Sequence, residues 1–185
     1  WSKKNMRVPD DKVILINNFP QILMKEKLKG DGTFNIVCLA NLRPQKDHET
    51  LIRALSLVIK LDPGMPVKLI LAGAYRKDSY FTKLTDLVSE LGLESKVEFA
   101  GPVDDVATLL SCADCGVLSS VSEGLPVSLL EYGLAALPVV VTDVGQCAEV
   151  VGFGKYGKVI MPGNPETMAS AIVSVIKDKE ASTTG

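Results

Sequence analysis

The chain is 185 residues long, with 46% hydrophobic and 23% charged residues, the balance of one ordinary globular domain with a sizeable core. A net charge of −2 leaves no basic footprint for nucleic acid, and no apolar run is long enough to span a bilayer. No secretory signal pattern opens the chain, and its start at Trp1 reads as that of an excised domain.

Strand-like and helical patterns then alternate along the chain. Asp11 to Ile16 is a first extended run, carried by Val13, Ile14, Leu15 and Ile16, Asn17 to Pro20 a turn, and residues 21–33 an exposed, lysine-rich connection, so residues 1–33 read as a leading segment with a first strand. Phe34 to Leu39 is a strand. His48 to Leu61 carries Leu51, Leu55, Val58 and Ile59 at helical spacing, with Asp47 as its cap and Pro63-Gly64 as its stop. Val67 to Ala72 is an apolar strand. Phe81, Leu84, Leu87, Val88 and Leu91 share a helix face closed by Gly92. Val97 to Ala100 is a short strand, and Asp104 is the expected cap of a helix carrying Val106, Leu109 and Leu110. Gly116 to Leu118, Val139 to Val141 and Tyr156 to Ile160 are the remaining strands, with a short helix over Cys147 to Val151. Asn164-Pro165 opens a last helix with Met168, Ala169, Ile172, Val175 and Ile176 on one face, and residues 179–185 form a frayed tail. Apolar strands separated by helices predict an α/β domain over residues 34–178. Its sheet is doubly wound, mostly parallel and Rossmann-like, with helices on both faces. Ligands in such sheets bind beyond the carboxyl ends of the strands.

Cys38, Cys112, Cys115 and Cys147 are the four cysteines. The Cys112–Cys115 spacing has no second Cys/His pair beside it, so both read as small core residues, and free thiols fit a reducing cytoplasm. No cluster suggests a metal. His48, the single histidine, reads as a surface or capping residue at a helix start.

Ser122 to Glu131 holds the most chemistry. Glu123 and Glu131 stand eight positions apart across a loop-to-helix junction, with Pro126 suited to the first helical position. Backbone N–H groups from Gly124 to Ser128, with Leu125 and Val127 among them, then point outward from the positive end of the helix, a ready site for phosphate. Two glutamates solvating a helix face is the plainer reading for Glu131 alone. Its helix, however, reads as mostly buried, where carboxylates are rare without a partner or a role. In the earlier loop, Arg43 and Lys46 follow a strand and offer two cations to a diphosphate.

The segment from Ser119 to Gly145 resembles the E-x7-E region of family-4 retaining glycosyltransferases (group 1), which have the GT-B fold. The resemblance extends from about Asp11 to Lys177. It implies that Glu123 contacts the donor sugar and Glu131 the ribose. Ala40 to Lys46 resembles that family's Gly-Arg-Leu-x-x-x-Lys loop. Lys46 falls on its lysine, while Asn41 stands where the family has arginine, so Arg43 is the candidate to supply the guanidinium. Gly73 resembles the family's glycine beside the nucleotide, and Val103 the backbone position that meets the base.

The implied function is the C-terminal, donor-binding half of an enzyme that moves a sugar from a nucleotide diphosphate-sugar to an acceptor hydroxyl with retention, without metal or other cofactor. An acceptor sugar or lipid-linked glycan would then sit on an N-terminal half absent from this chain. The fragment is expected to bind nucleotide yet turn over weakly or not at all. A cytoplasmic location follows, with any peripheral attachment to the inner membrane face made by the other half. Three rivals stand beside this reading: a nucleotide-sugar 2-epimerase, a non-catalytic nucleotide-sugar-binding module, and a Rossmann-like interaction domain that binds no nucleotide.

Overall fold

A computed structural model describes residues 19–20, 22–28 and 30–183, so the extended run expected at Asp11 to Ile16 lies outside the described residues. β1 (Phe34–Leu39), β2 (Val67–Ala72), β3 (Val97–Gly101), β4 (Cys115–Leu118), β5 (Val139–Thr142) and β6 (Lys158–Ile160) form one parallel sheet in the order β3-β2-β1-β4-β5-β6. The connecting helices are α1 (His48–Leu61), α2 (Ser79–Glu90), α3 (Val106–Ser111), α4 (Val127–Leu134), α5 (Cys147–Val150) and α6 (Pro165–Thr183).

Side chains alternate across each strand, so β1 feeds two cores. Phe34, Ile36 and Cys38 join Leu51, Leu55, Leu84, Met168 and Ile172 from α1, α2 and α6. Val37 joins Leu110, Leu129, Tyr132 and Cys147 from α3, α4 and α5 on the other face. Burying each large aliphatic side chain contributes about 1.5–3 kcal/mol, which is why the sheet is covered on both sides. The Rossmann-like expectation therefore holds. The chain leaves β1 toward β2 on one side, and β4 opens the other half of the sheet, so their carboxyl ends flank the topological switch point.

Several local expectations change. Asp105, not Asp104, caps α3, because its carboxylate accepts the Thr108 N–H at 3.0 Å. β6 begins at Lys158, with Tyr156 left outside and Gly157 pressed on Val139, where a Cβ would collide. Cys112 is exposed at the end of α3, whereas Cys38, Cys115 and Cys147 are buried. α4 is half-buried rather than mostly buried, with only Leu129 and Tyr132 fully inside. α6 runs on to Thr183, into the segment expected to fray. Among the described residues no helix is long and apolar enough to cross a membrane.

At the amino-terminal edge of the sheet, Asp114 is buried ahead of β4. It accepts hydrogen bonds from Lys27 at 3.0 Å, Lys179 at 2.7 Å and the Asn35 N–H at 2.8 Å. Burial opposes its ionisation, but these donors prevail and hold its carboxyl below the usual range.

Candidate donor site

The loops at the carboxyl ends of β1, β2 and β3 are laced together by backbone. Leu42 N–H donates to the Ala74 carbonyl at 3.0 Å, and Gly73 N–H donates to the Gly101 carbonyl at 2.8 Å. Gly73 has φ +153°, and a Cβ there would overlap the Ala40 carbonyl, so only glycine allows this approach. Asn41 adds a side-chain tie, its Oδ1 accepting the Ala74 N–H at 2.8 Å. Where the resembling loop carries arginine, this chain thus has an amide that joins two loops.

Arg43 is exposed and lines a groove with Asn41, Tyr75, Arg76 and Asp78. It makes no ion pair among the described residues. Arg76, which the sequence reading passed over, brings a second exposed guanidinium to this groove. Val103 lies half-buried in the loop just after β3. Tyr75 stacks on Phe81 with centroids 4.6 Å apart, and Phe81 meets Phe99 edge-on, which stiffens the wall behind the groove.

After Arg43 the chain turns through a short 3-10 segment, Pro44–Lys46, and brings Lys46 to the switch point. There Lys46 Nζ donates to Glu123 Oε1 at 2.6 Å, across 77 residues of sequence, and both side chains are largely buried. The same oxygen accepts from Ser120 Oγ at 2.6 Å. Among the described residues both donors to this carboxylate, Lys46 and Ser120, use Oε1, so Oε2 is the oxygen left to meet another hydroxyl. Two further bonds fix this loop to its surroundings: Ser119 Oγ donates to the Lys46 carbonyl at 2.8 Å, and Thr142 Oγ1 to the Ser120 carbonyl at 2.6 Å. Gly145 closes the far side at φ +55°, where a Cβ would overlap the Glu123 carbonyl. Sequence reading found Lys46 and Glu123 but missed Ser120, whose one signal is its place three residues before Glu123.

Gly124 and Leu125 lead into Pro126, which is the N-cap of α4 rather than its first helical residue, and α4 begins at Val127. Proline offers no side-chain oxygen, so among the described residues the first-turn N–H groups have no side-chain cap. α1, α2 and α3 are capped by Asp47, Asp78 and Asp105, and Asn164 accepts the Thr167 N–H at the start of α6. An uncapped helix start with Lys46 close by in the same cleft suits an anion. Glu131, one turn into α4, is half-buried with no hydrogen-bond partner among the described residues, and burial raises its pKa.

His48 is neither a surface nor a capping residue. It is fully buried, with Nδ1 3.3 Å from Tyr80 Oη and Nε2 without a hydrogen-bond partner among the described residues. Burial, helped by the Lys46 charge and opposed by the Ala40 carbonyl, lowers its pKa to about 4. The helix cap is Asp47 instead, which frees the imidazole to turn inward beneath Tyr80. Burial likewise raises Cys38 to about 12 and Cys147 to about 11, so neither thiol is a nucleophile here.

Residues 33–178 match the family described as glycosyl transferases group 1. An uncharacterised glycosyltransferase of Methanocaldococcus jannaschii is 34% identical over 145 residues, covering 77% of this chain and 36% of that protein. The N-acetyl-alpha-D-glucosaminyl L-malate synthase of Bacillus anthracis is 28% identical over 171 residues, covering 92% of this chain and 43% of that protein. Among solved structures, Anabaena HepE in complex with UDP and glucose superposes with a TM-score of 0.74 at 28% identity, over 80% of this chain and 40% of that one. The chain therefore spans well under half the length of these relatives.

Proposed function

The chain belongs to the glycosyl transferases group 1 family, and from that premise we propose that it is the donor-binding part of a retaining glycosyltransferase. It holds a nucleotide diphosphate-sugar whose sugar passes to an acceptor hydroxyl supplied on another part of the enzyme. The observation that carries this reading is the largely buried Lys46–Glu123 pair beside the start of α4, which Pro126 leaves without a side-chain cap.

The roles follow from the chemistry of each group. When the bond between sugar and diphosphate breaks, negative charge gathers on the departing phosphate oxygens. Lys46 and the backbone N–H groups near Leu125 and Val127 stabilise that charge, and losing one such donor costs about 3 kcal/mol. Glu123, held through Oε1 by Lys46 and Ser120, offers Oε2 to a sugar hydroxyl. Glu131 accepts from ribose hydroxyls, and Arg43 with Arg76 attracts phosphate from the groove. Gly73 lies beside the nucleotide, and the backbone at Val103 meets the base. Charge handled in this way calls on no metal or organic cofactor.

On this reading the chain binds donor but transfers sugar weakly or not at all by itself, because the acceptor lies elsewhere. The whole enzyme works in the cytoplasm, and any attachment to the membrane face is made outside this chain. The Asn41 amide, tied to Ala74 rather than free, favours a second reading, a module that binds nucleotide-sugar without transferring it. Thermal shift with UDP, GDP, ADP and their sugar conjugates tests the donor reading. A ligand at ~100 times its Kd adds about 2.7 kcal/mol. A shift with one nucleotide, lost in Glu131→Ala, is expected, and no shift with any of them overturns the reading. Transfer by the full-length enzyme then separates enzyme from binding module.

A further inference from the structure

β2 stays in register with β1 as far as Leu39 opposite Ala72, but β4 pairs with β1 only at Ile36 opposite Cys115 and Val37 opposite Gly116. Beyond Val37 the two strands part, and their parting opens the crevice of the candidate site. A strand that loses its neighbour leaves buried backbone groups to be paired some other way. Tyr132 of α4 does this. Its ring is fully buried, its hydroxyl accepts the Leu39 N–H at 2.7 Å and donates to the Val37 carbonyl at 3.2 Å. The ring lies flat on Gly116, where a Cβ would stand 2.6 Å from its carbons. Gly116 therefore admits the wedge, and the phenol takes the next rung of the β1 ladder in place of β4.

The two residues joined by this bridge have telling neighbours. Leu39 directly precedes the loop that ends at Lys46, and Tyr132 directly follows Glu131. We propose that Tyr132 is a positioning residue: its hydroxyl bridge fixes the gap between the Lys46 loop and the Glu131 helix, and so sets the span that a nucleotide diphosphate must fit. This rests on the donor-binding reading above.

Tyr132→Phe keeps the ring and removes the bridge. Leu84→Val, in the core on the opposite face of the sheet, serves as the purely structural control. Titration calorimetry with UDP, GDP and ADP is run at a temperature where circular dichroism shows each variant folded. The nucleotide that binds the unsubstituted chain should bind Tyr132→Phe about ten-fold more weakly, and Leu84→Val with unchanged affinity. Equal affinity in Tyr132→Phe and the unsubstituted chain overturns the proposal, as does an equal loss in Leu84→Val. If the unsubstituted chain binds none of the three, the donor reading itself falls and this inference with it. Should Tyr132→Phe fail to fold, amide exchange in the unsubstituted chain decides. Bound nucleotide should slow exchange at Leu39 about ten-fold, and an unchanged rate there overturns the proposal.

Discussion

The two edges of the sheet treat charge in opposite ways. At the amino-terminal edge, buried Asp114 is saturated by Lys27, Lys179 and the Asn35 N–H, so its network is closed. At the carboxyl-terminal edge, Lys46 and Glu123 pair, yet the start of α4 has no side-chain cap. Arg43 and Arg76 face a groove without an ion pair, and Glu131 is half-buried with no hydrogen-bond partner, among the described residues. A closed network fastens the chain to itself. An open one, held on rigid loops, carries unmet demand that a charged, hydroxyl-rich ligand can meet. The difference separates residues that serve stability from those that serve binding, and substitutions can probe it.

The largest effect is expected at the closed edge. Asp114→Ala removes the partner of two lysines and a backbone N–H and should cost about 3 kcal/mol in urea unfolding, the low end for breaking a buried pair because both lysine heads are half-exposed. Nucleotide affinity should stay within about two-fold. A large loss of affinity would mean that the edges are coupled and the contrast is false.

His48 gives the next effect, as a pH dependence. Its folded pKa of about 4 lies below the ordinary 6.5, so between those values the unfolded chain binds a proton that the folded chain refuses. The stability is fully present above pH 6.5 and is lost as pH falls toward 4, by up to about 3 kcal/mol. Urea midpoints across this window should show the slope, and His48→Gln should flatten it. A profile equally steep in His48→Gln would assign the slope to other groups.

Glu131→Ala comes third. Losing a carboxylate that accepts ribose hydroxyls should weaken nucleotide binding by about 2 kcal/mol. Stability should hold or rise slightly, since burial disfavours the charge it removes. Calorimetry and unfolding on the same variant test both halves. The smallest effects belong to Arg43→Ala and Arg76→Ala, each about 0.5–1 kcal/mol in nucleotide affinity and fading at high salt. If neither matters at low salt, the groove is not part of the donor site.

Much of this frame was legible in the sequence because it is local. Apolar runs bounded by Gly and Pro marked the strands, and helical spacing with Asp47 before it marked α1, whose boundaries agree. Lys46 and Glu123 each stood out in a loop after a strand. Their contact did not, because only the β1–β4 adjacency brings residues 77 positions apart together. His48 was misread because position at a helix start says nothing of a cover supplied by Tyr80 on another helix. Tyr132 carried no signal of its own beyond following Glu131. The signal lay instead in Gly116, a residue without a side chain at the start of an apolar strand, which acquires meaning only once the ring is seen lying on it. Cys112 was misplaced because its neighbour Cys115 is apolar-flanked, while Cys112 itself ends a helix facing solvent.

That last residue has a practical consequence. Of the four thiols, three are buried, and only Cys112 meets solvent. Maleimide chemistry on the native sequence should therefore place a single fluorophore at the amino-terminal edge. That is the opposite end of the sheet from Lys46, so ligand binding can be followed by polarisation or energy transfer without engineering the chain first.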